Sequence, residues 1–167
     1  ELSPNAPDVI QSLAGEMQVR GILPELEIFD LGMLNYARYL IRKGLLDPPY
    51  YVNVILGNIA SAQCDLLHAG ALLRDLPPDS VWTLGGIGAA QLPANALAVA
   101  MGGGVRVGLE DSLHADRAGT VLATNLALLL RVHALAGIFE RKVMTPKEAR
   151  ELLRLEPGRG RYGRRPA

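Results

Sequence analysis

The chain has 167 residues, 49% hydrophobic and 20% charged, enough for one good core and too few for several domains. A formal net charge of +0 and a pI near 7.1 give no general pull towards nucleic acid or acidic membrane surfaces. No apolar run reaches the ~18 residues wanted for a membrane span, and a mean hydropathy of +0.17 marks a globular chain with apolar surface to spare.

The first helix signal is Asn5-Ala6-Pro7-Asp8, with proline near the first turn and Asp8 at the positive end of the dipole. The helix should run to about Arg20 and stop at Gly21. This stretch is polar and helical rather than basic then apolar, so no signal peptide is expected. Residues 25–31 alternate like a strand. Met33 to Lys43 reads as an amphipathic helix ended by Gly44. Tyr50 to Leu56 is strand-like, and Ala62 to Leu76 helical up to Pro77-Pro78. Ser80 to Leu84 opens into Gly85-Gly86-Ile87-Gly88, and Ala89 to Met101 is a helix halted by the glycine triplet 102–104. A strand follows over 104–110. The pattern then predicts a long helix from about Gly119 to Arg141 and a short one whose Thr145 and Glu148 have capping-box spacing.

Strict βα alternation implies an α/β fold of parallel strands with right-handed crossovers. Four units are too few to close a (β/α)8 TIM barrel, which usually takes about 250 residues. The sheet is therefore open, or it is half of a barrel completed by other sequence. Residues 1–156 form this portion, and the Gly/Arg-rich tail 157–167 is expected to be disordered. The lone Cys64 excludes an internal disulfide and fits a reducing, cytoplasmic setting.

Residues 102–111, Gly-Gly-Gly-Val-Arg-Val-Gly-Leu-Glu-Asp, carry the most chemistry. A buried parallel strand should be apolar on both faces, yet here Val105, Val107 and Leu109 alternate with Arg106, Gly108 and Glu110. Asp111 falls where the strand gives way to its loop, the end at which α/β folds place their chemistry. Arg106 and Glu110 would stand about 13 Å apart on an ideal strand. Arg106 can therefore meet Asp111 only if the strand end bends or if both meet through Glu27 or substrate, and Gly108 makes a bend cheaper. Arg106 could equally be a structural partner of Glu27 or Asp30. Asn53 falls on the interior face, as a substrate contact or a satisfied core amide. Gly86 and Gly88 let backbone approach a ligand, or simply make a tight strand-to-helix turn; the dinucleotide spacing is absent. His68, His114 and His133 are scattered, the first and last on helices, and only His114 follows the site strand closely enough to reach it.

These stretches resemble the β-keto acid cleavage enzyme family, relatives of 3-keto-5-aminohexanoate cleavage enzyme, in its C-terminal part only. The similarity rests on Asn5-Ala6-Pro7, on Pro24 through Gly32, on Val54-Ile55-Leu56-Gly57 and on Trp82. It continues with Gly86-Ile87-Gly88 followed by Gln91, Arg106 through Asp111, Thr145-Pro146 and Glu148-Ala149-Arg150. The resemblance implies a zinc-dependent, oligomeric (β/α)8 barrel converting a β-keto acid and acetyl-CoA to acetoacetate and a new acyl-CoA. By the same resemblance Glu110 is a zinc ligand, Asp111 the general base, Arg106 its support and Glu27 a further polar active-site residue. Two departures stand out. The family's His-x-His zinc pair is absent, and Gly104 and Ser112 stand where His or Asn is common.

One carboxylate is a poor zinc site beside the usual three protein ligands, so this chain alone is expected to turn nothing over. A half-barrel exposes two sheet edges and an apolar face, which predicts association with itself or with a complementing N-terminal half. Two other readings stay open: a non-catalytic half-barrel subunit or remnant, and a phosphate- or nucleic-acid-binding half-barrel using its glycine loops and basic tail.

Overall fold

The computed structural model describes residues 5–155. Four parallel strands lie in sequence order: β1 (Glu25–Ile28), β2 (Tyr50–Leu56), β3 (Ser80–Gly86) and β4 (Gly104–Val105). The helices are α1 (Pro7–Arg20), α2 (Leu31–Arg42), α3 (Leu66–Arg74), α4 (Gln91–Ala100), α5 (Asn125–Ile138) and α6 (Pro146–Leu152), with a 3-10 turn at Gly88–Ala90. This is the expected parallel α/β array. The tail from residue 157 onward lies outside the described residues. None of the described helices is long and apolar enough to cross a membrane.

The helix ends follow the local chemistry. Pro7 starts α1, and Gly21 ends it in the left-handed region at φ 69°, its N–H donating to the Gln18 carbonyl. Asp30 caps α2 by accepting from the Met33 amide at 2.8 Å. The Thr145–Glu148 capping box at α6 is formed in both directions.

Three expectations need correction. The helix expected from Ala62 begins at Leu66, because Asp65 accepts from the Leu67 and His68 amides. Ahead of that cap, Gly57 and Ala62 are tied into a loop by backbone bonds to Ala62 and Phe29 respectively. The helix expected from Gly119 begins at Asn125, capped by Thr124. Residues 113–123 instead double back, with Ala115 donating to Val121 and Ala123 to Leu113. Finally, the strand expected over 104–110 pairs only at Gly104 and Val105, so Val107, Gly108 and Leu109 lie beyond the ladder.

The sheet has an apolar face and a polar one. Ile28, Val52, Val54, Leu56 and Leu84 pack against Leu34, Ala37, Ala69, Leu72, Ala94 and Ala98 of the helices. Period-two alternation then sends Glu25, Glu27, Tyr51, Asn53 and Thr83 to the other face. The register places Glu27, Asn53, Thr83 and Gly104 in one row across all four strands. The glycine triplet does more than stop α4. Gly102 takes the left-handed turn at φ 85°, whereas a Cβ on Gly103 would lie 2.0 Å from the Trp82 ring.

Candidate active site

Arg106 lies at the C-terminal end of β4, its amide still bonded to the Leu84 carbonyl at 3.1 Å. Beyond it the chain turns. Asp111 and Ser112 donate back to the Gly108 carbonyl at 3.3 Å each, and the Asn125 side chain receives the Leu109 amide at 3.0 Å. The bend brings together what an ideal strand would keep apart. Arg106 Nε donates to Asp111 Oδ2 at 2.9 Å and Nη2 to Oδ1 at 3.3 Å, a two-point contact with a carboxylate that is 5% exposed. Nη1 reaches Glu27 Oε1 at 3.1 Å, and Nη2 also donates to Glu110. Three carboxylates thus share one guanidinium. Acceptance by Asp111 pushes the Arg106 pKa up first of all; burial opposes this, while the charges of Asp111, Glu110 and Glu27 add to it.

Room for the arginine stem comes from β3. A Cβ on Gly85 would stand 3.1–3.2 Å from Arg106 Cβ, Cγ and Cδ. Gly86 allows another close approach, since its Cβ would lie 2.5 Å from the Ala90 carbonyl oxygen. Gly88, at φ 56°, donates its N–H to the Asp111 carbonyl at 2.7 Å, tying the β3 loop to the site turn. Asn53, 2% exposed, uses both ends of its amide: Nδ2 donates to Glu25 at 2.8 Å and Oδ1 accepts from Thr83 at 2.7 Å. Burial raises the Tyr51 pKa, with Glu25 adding and Arg106 opposing, so its hydroxyl stays protonated near neutrality.

The structure therefore brings Glu27, Arg106, Glu110 and Asp111 together and sets Asn53 on the same polar face. A recess of about 560 Å³ is lined by residues 106–111 with Asn125 and Leu129 of α5. His114 sits in the hairpin, bridged to Leu122. His68 pairs with Asp65 at the start of α3, and His133 lies on α5. Sequence reasoning gave no role to Gly85, Asn95 or Asn125. A visible signal for Asn95 was its place four residues after Gln91 on an otherwise apolar helix.

The profile of the family described as beta-keto acid cleavage enzyme matches residues 1–155. The chain belongs to that family. It is 36% identical over 157 residues to a 3-keto-5-aminohexanoate cleavage enzyme of Fusobacterium nucleatum, covering 93% of this chain and 56% of that protein. Identity to a 3-oxoadipate:acetyl-CoA acetyltransferase of Cupriavidus necator is also 36%, over 154 residues, covering 90% and 54%. This member of the family thus spans about half the length of the curated relatives it matches. Among solved structures, the apo form of ObcA superposes with a TM-score of 0.67 at 18% identity, covering 91% of this chain and 40% of that one. That likeness shows the parallel α/β fold.

Proposed function

We propose that this chain supplies the C-terminal half of a (β/α)8 barrel and the catalytic carboxylate of an acyl-transferring C–C cleavage enzyme. The reaction takes a β-keto acid and acetyl-CoA to acetoacetate and a new acyl-CoA. One observation carries the reading: Arg106 fastens Asp111 at two points, beside Glu27 and Glu110, at the strand end where barrel enzymes place their chemistry.

Asp111 acts as the base. Each of its oxygens keeps lone-pair capacity after accepting from Arg106, so the carboxylate can still take a proton. The proton comes from the carbon between the substrate's keto and carboxylate groups, and that carbon attacks the thioester carbonyl of acetyl-CoA and expels CoA thiolate. The thiolate adds to the original keto carbon, and the bond from that carbon to the newly acetylated carbon breaks. The new acyl-CoA leaves while the acetoacetate carbanion takes its proton back from Asp111. Arg106 aims the carboxylate, and orientation of this kind is worth several powers of ten in rate. Asn53, with both ends of its amide bonded, orients Glu25 and Thr83 on the polar face beside the substrate, and Gly86 and Gly88 shape the turn that borders it. The lone Cys64 suits a cytoplasmic enzyme.

Family resemblance implies zinc, with Glu110 as one ligand. Among the described residues no three His, Cys, Asp or Glu side chains could hold a metal ion. The Glu110 carboxylate is also taken up by Arg106. These residues alone do not fit the ion, and the chemistry assigned to them stops at the proton and the arginine clamp. The remaining ligands belong, in this reading, to polypeptide outside the chain, a complementing N-terminal half or a second copy.

The test is acetoacetate formation from acetyl-CoA and a panel of β-keto acids by the complete enzyme. Asp111→Asn should lower kcat by roughly 10²–10⁴-fold with the fold retained. Full activity in that variant would remove Asp111 from the mechanism.

A further inference from the structure

Helix α4 faces the core with Ala94, Ala98 and Val99, but it spends two equally buried positions on carboxamides. Gln91 is 1% exposed and Asn95 0%. A buried amide is costly unless its groups are bonded; Asn95 Oδ1 has no partner among the described residues, yet the NH2 groups of both amides are aimed at one short stretch of backbone. Asn95 Nδ2 donates to the Arg106 carbonyl at 2.8 Å, with a longer contact of 3.4 Å to the Leu84 carbonyl. Gln91 Nε2 donates to the Gly108 carbonyl at 2.9 Å. Asn95 thus stands at the point where the β3–β4 ladder ends, and Gln91 at the point where the chain folds back towards Asp111. Their four-residue spacing puts them one turn apart on the same helix face. That spacing matches the two-residue step from Arg106 to Gly108. Gln91 is itself held, since its Oε1 accepts from Arg131 Nη2 at 3.3 Å.

We propose that Gln91 and Asn95 are positioning residues whose NH2 groups hold the Arg106 and Gly108 carbonyls in the bend that lays the Arg106 guanidinium onto Asp111. Without them the two carbonyls lose buried donors, and the segment 106–111 has no other side chain from α4 to fix its path. The role rests on the proposed function only in its consequence for rate; the geometry it explains does not depend on that reading.

The experiment is solvent exchange of the Arg106 Nε–H proton, followed by NMR in the full chain. Gln91→Met and Asn95→Leu keep side-chain length or volume and remove the donor. Ala98→Gly, also buried on α4, serves as a control that weakens the helix and leaves both carbonyls bonded. Each donor variant should speed Arg106 Nε–H exchange about tenfold, as the loss of one buried hydrogen bond implies. Ala98→Gly should leave it near the wild-type rate. If Asn95→Leu fails to fold, Gln91→Met carries the test alone. Unchanged exchange in a folded donor variant, or equal acceleration in Ala98→Gly, would overturn the proposal. In the complete enzyme the donor variants should lower kcat and leave KM nearly unchanged. If exchange accelerates and no β-keto acid is turned over, the positioning stands and the functional reading falls.

Discussion

Arg106 answers three carboxylates with one charge, and its placement depends on a neighbour that has no side chain. Gly85 leaves the space through which the arginine stem crosses β3. A Gly85→Ala change asks Arg106 Cβ, Cγ and Cδ to give by a few tenths of an ångström, Cβ moving only with its backbone, so the stability loss should be about 1–3 kcal/mol. The guanidinium would no longer sit squarely on Asp111, and misplacement on the scale of an ångström can cost about 100-fold in rate. Urea unfolding and acetoacetate formation measured on the same preparation check this; a rate loss no larger than the stability loss explains would count against it. Arg106, Glu110 and Asp111 were legible in the sequence because charges interrupt a strand that should be apolar. Gly85 was not, because its role shows only when the β3 and β4 registers are known.

Elements met the sequence reading best where caps announce them and worst where a side chain overrides an apolar run. Thr145 precedes its helix at the capping-box spacing and accepts the expected amide, whereas Asp30, placed by the pattern in the strand, caps α2 and starts it at Leu31 rather than Met33. Val121 and Leu122 look like a continuation of the α5 pattern. They are drawn into a hairpin because Asp116 captures the Thr120 amide and hydroxyl and the Val121 amide. Those bonds, led by the Thr120 hydroxyl, lower the Asp116 pKa from 3.8 to about 2. A lowered carboxylate pKa stabilises the folded hairpin above the ordinary value and loses that contribution as pH falls through the lowered one. The Thr120 and Val121 amide resonances should therefore titrate together with a midpoint near 2. A midpoint near the ordinary 3.8 would mean the capture is absent in solution. Across the sheet, Gly103 is the stricter glycine, because Trp82 cannot yield as an arginine stem can. Gly103→Ala should cost about 3 kcal/mol, read from the denaturant midpoint; a cost below about 1 kcal/mol would show that the ring has room to shift.

At the scale of the molecule, the parallel order and the helix-covered face follow from βα alternation, which the sequence displays openly. What lies against the rest does not follow from it. Among the described residues, the edge strands β1 and β4 each pair on one side only. Helix α5 buries Leu128 and Ala136, yet leaves Leu126 at 67%, Leu130 at 60% and Ile138 at 76% exposed. The chain spans about half the length of its relatives, and under the proposed function this apolar helix face is the surface that the complementing half would cover. Under the proposed function this chain holds one half of a shared site: the Arg106 clamp and its carboxylates, without a full set of metal ligands among the described residues. Elemental analysis across a sizing-column peak of the purified chain tests it most directly. The expected species is self-associated, with zinc well below one per chain until a complementing half is added. A monomer carrying one zinc per chain would contradict it.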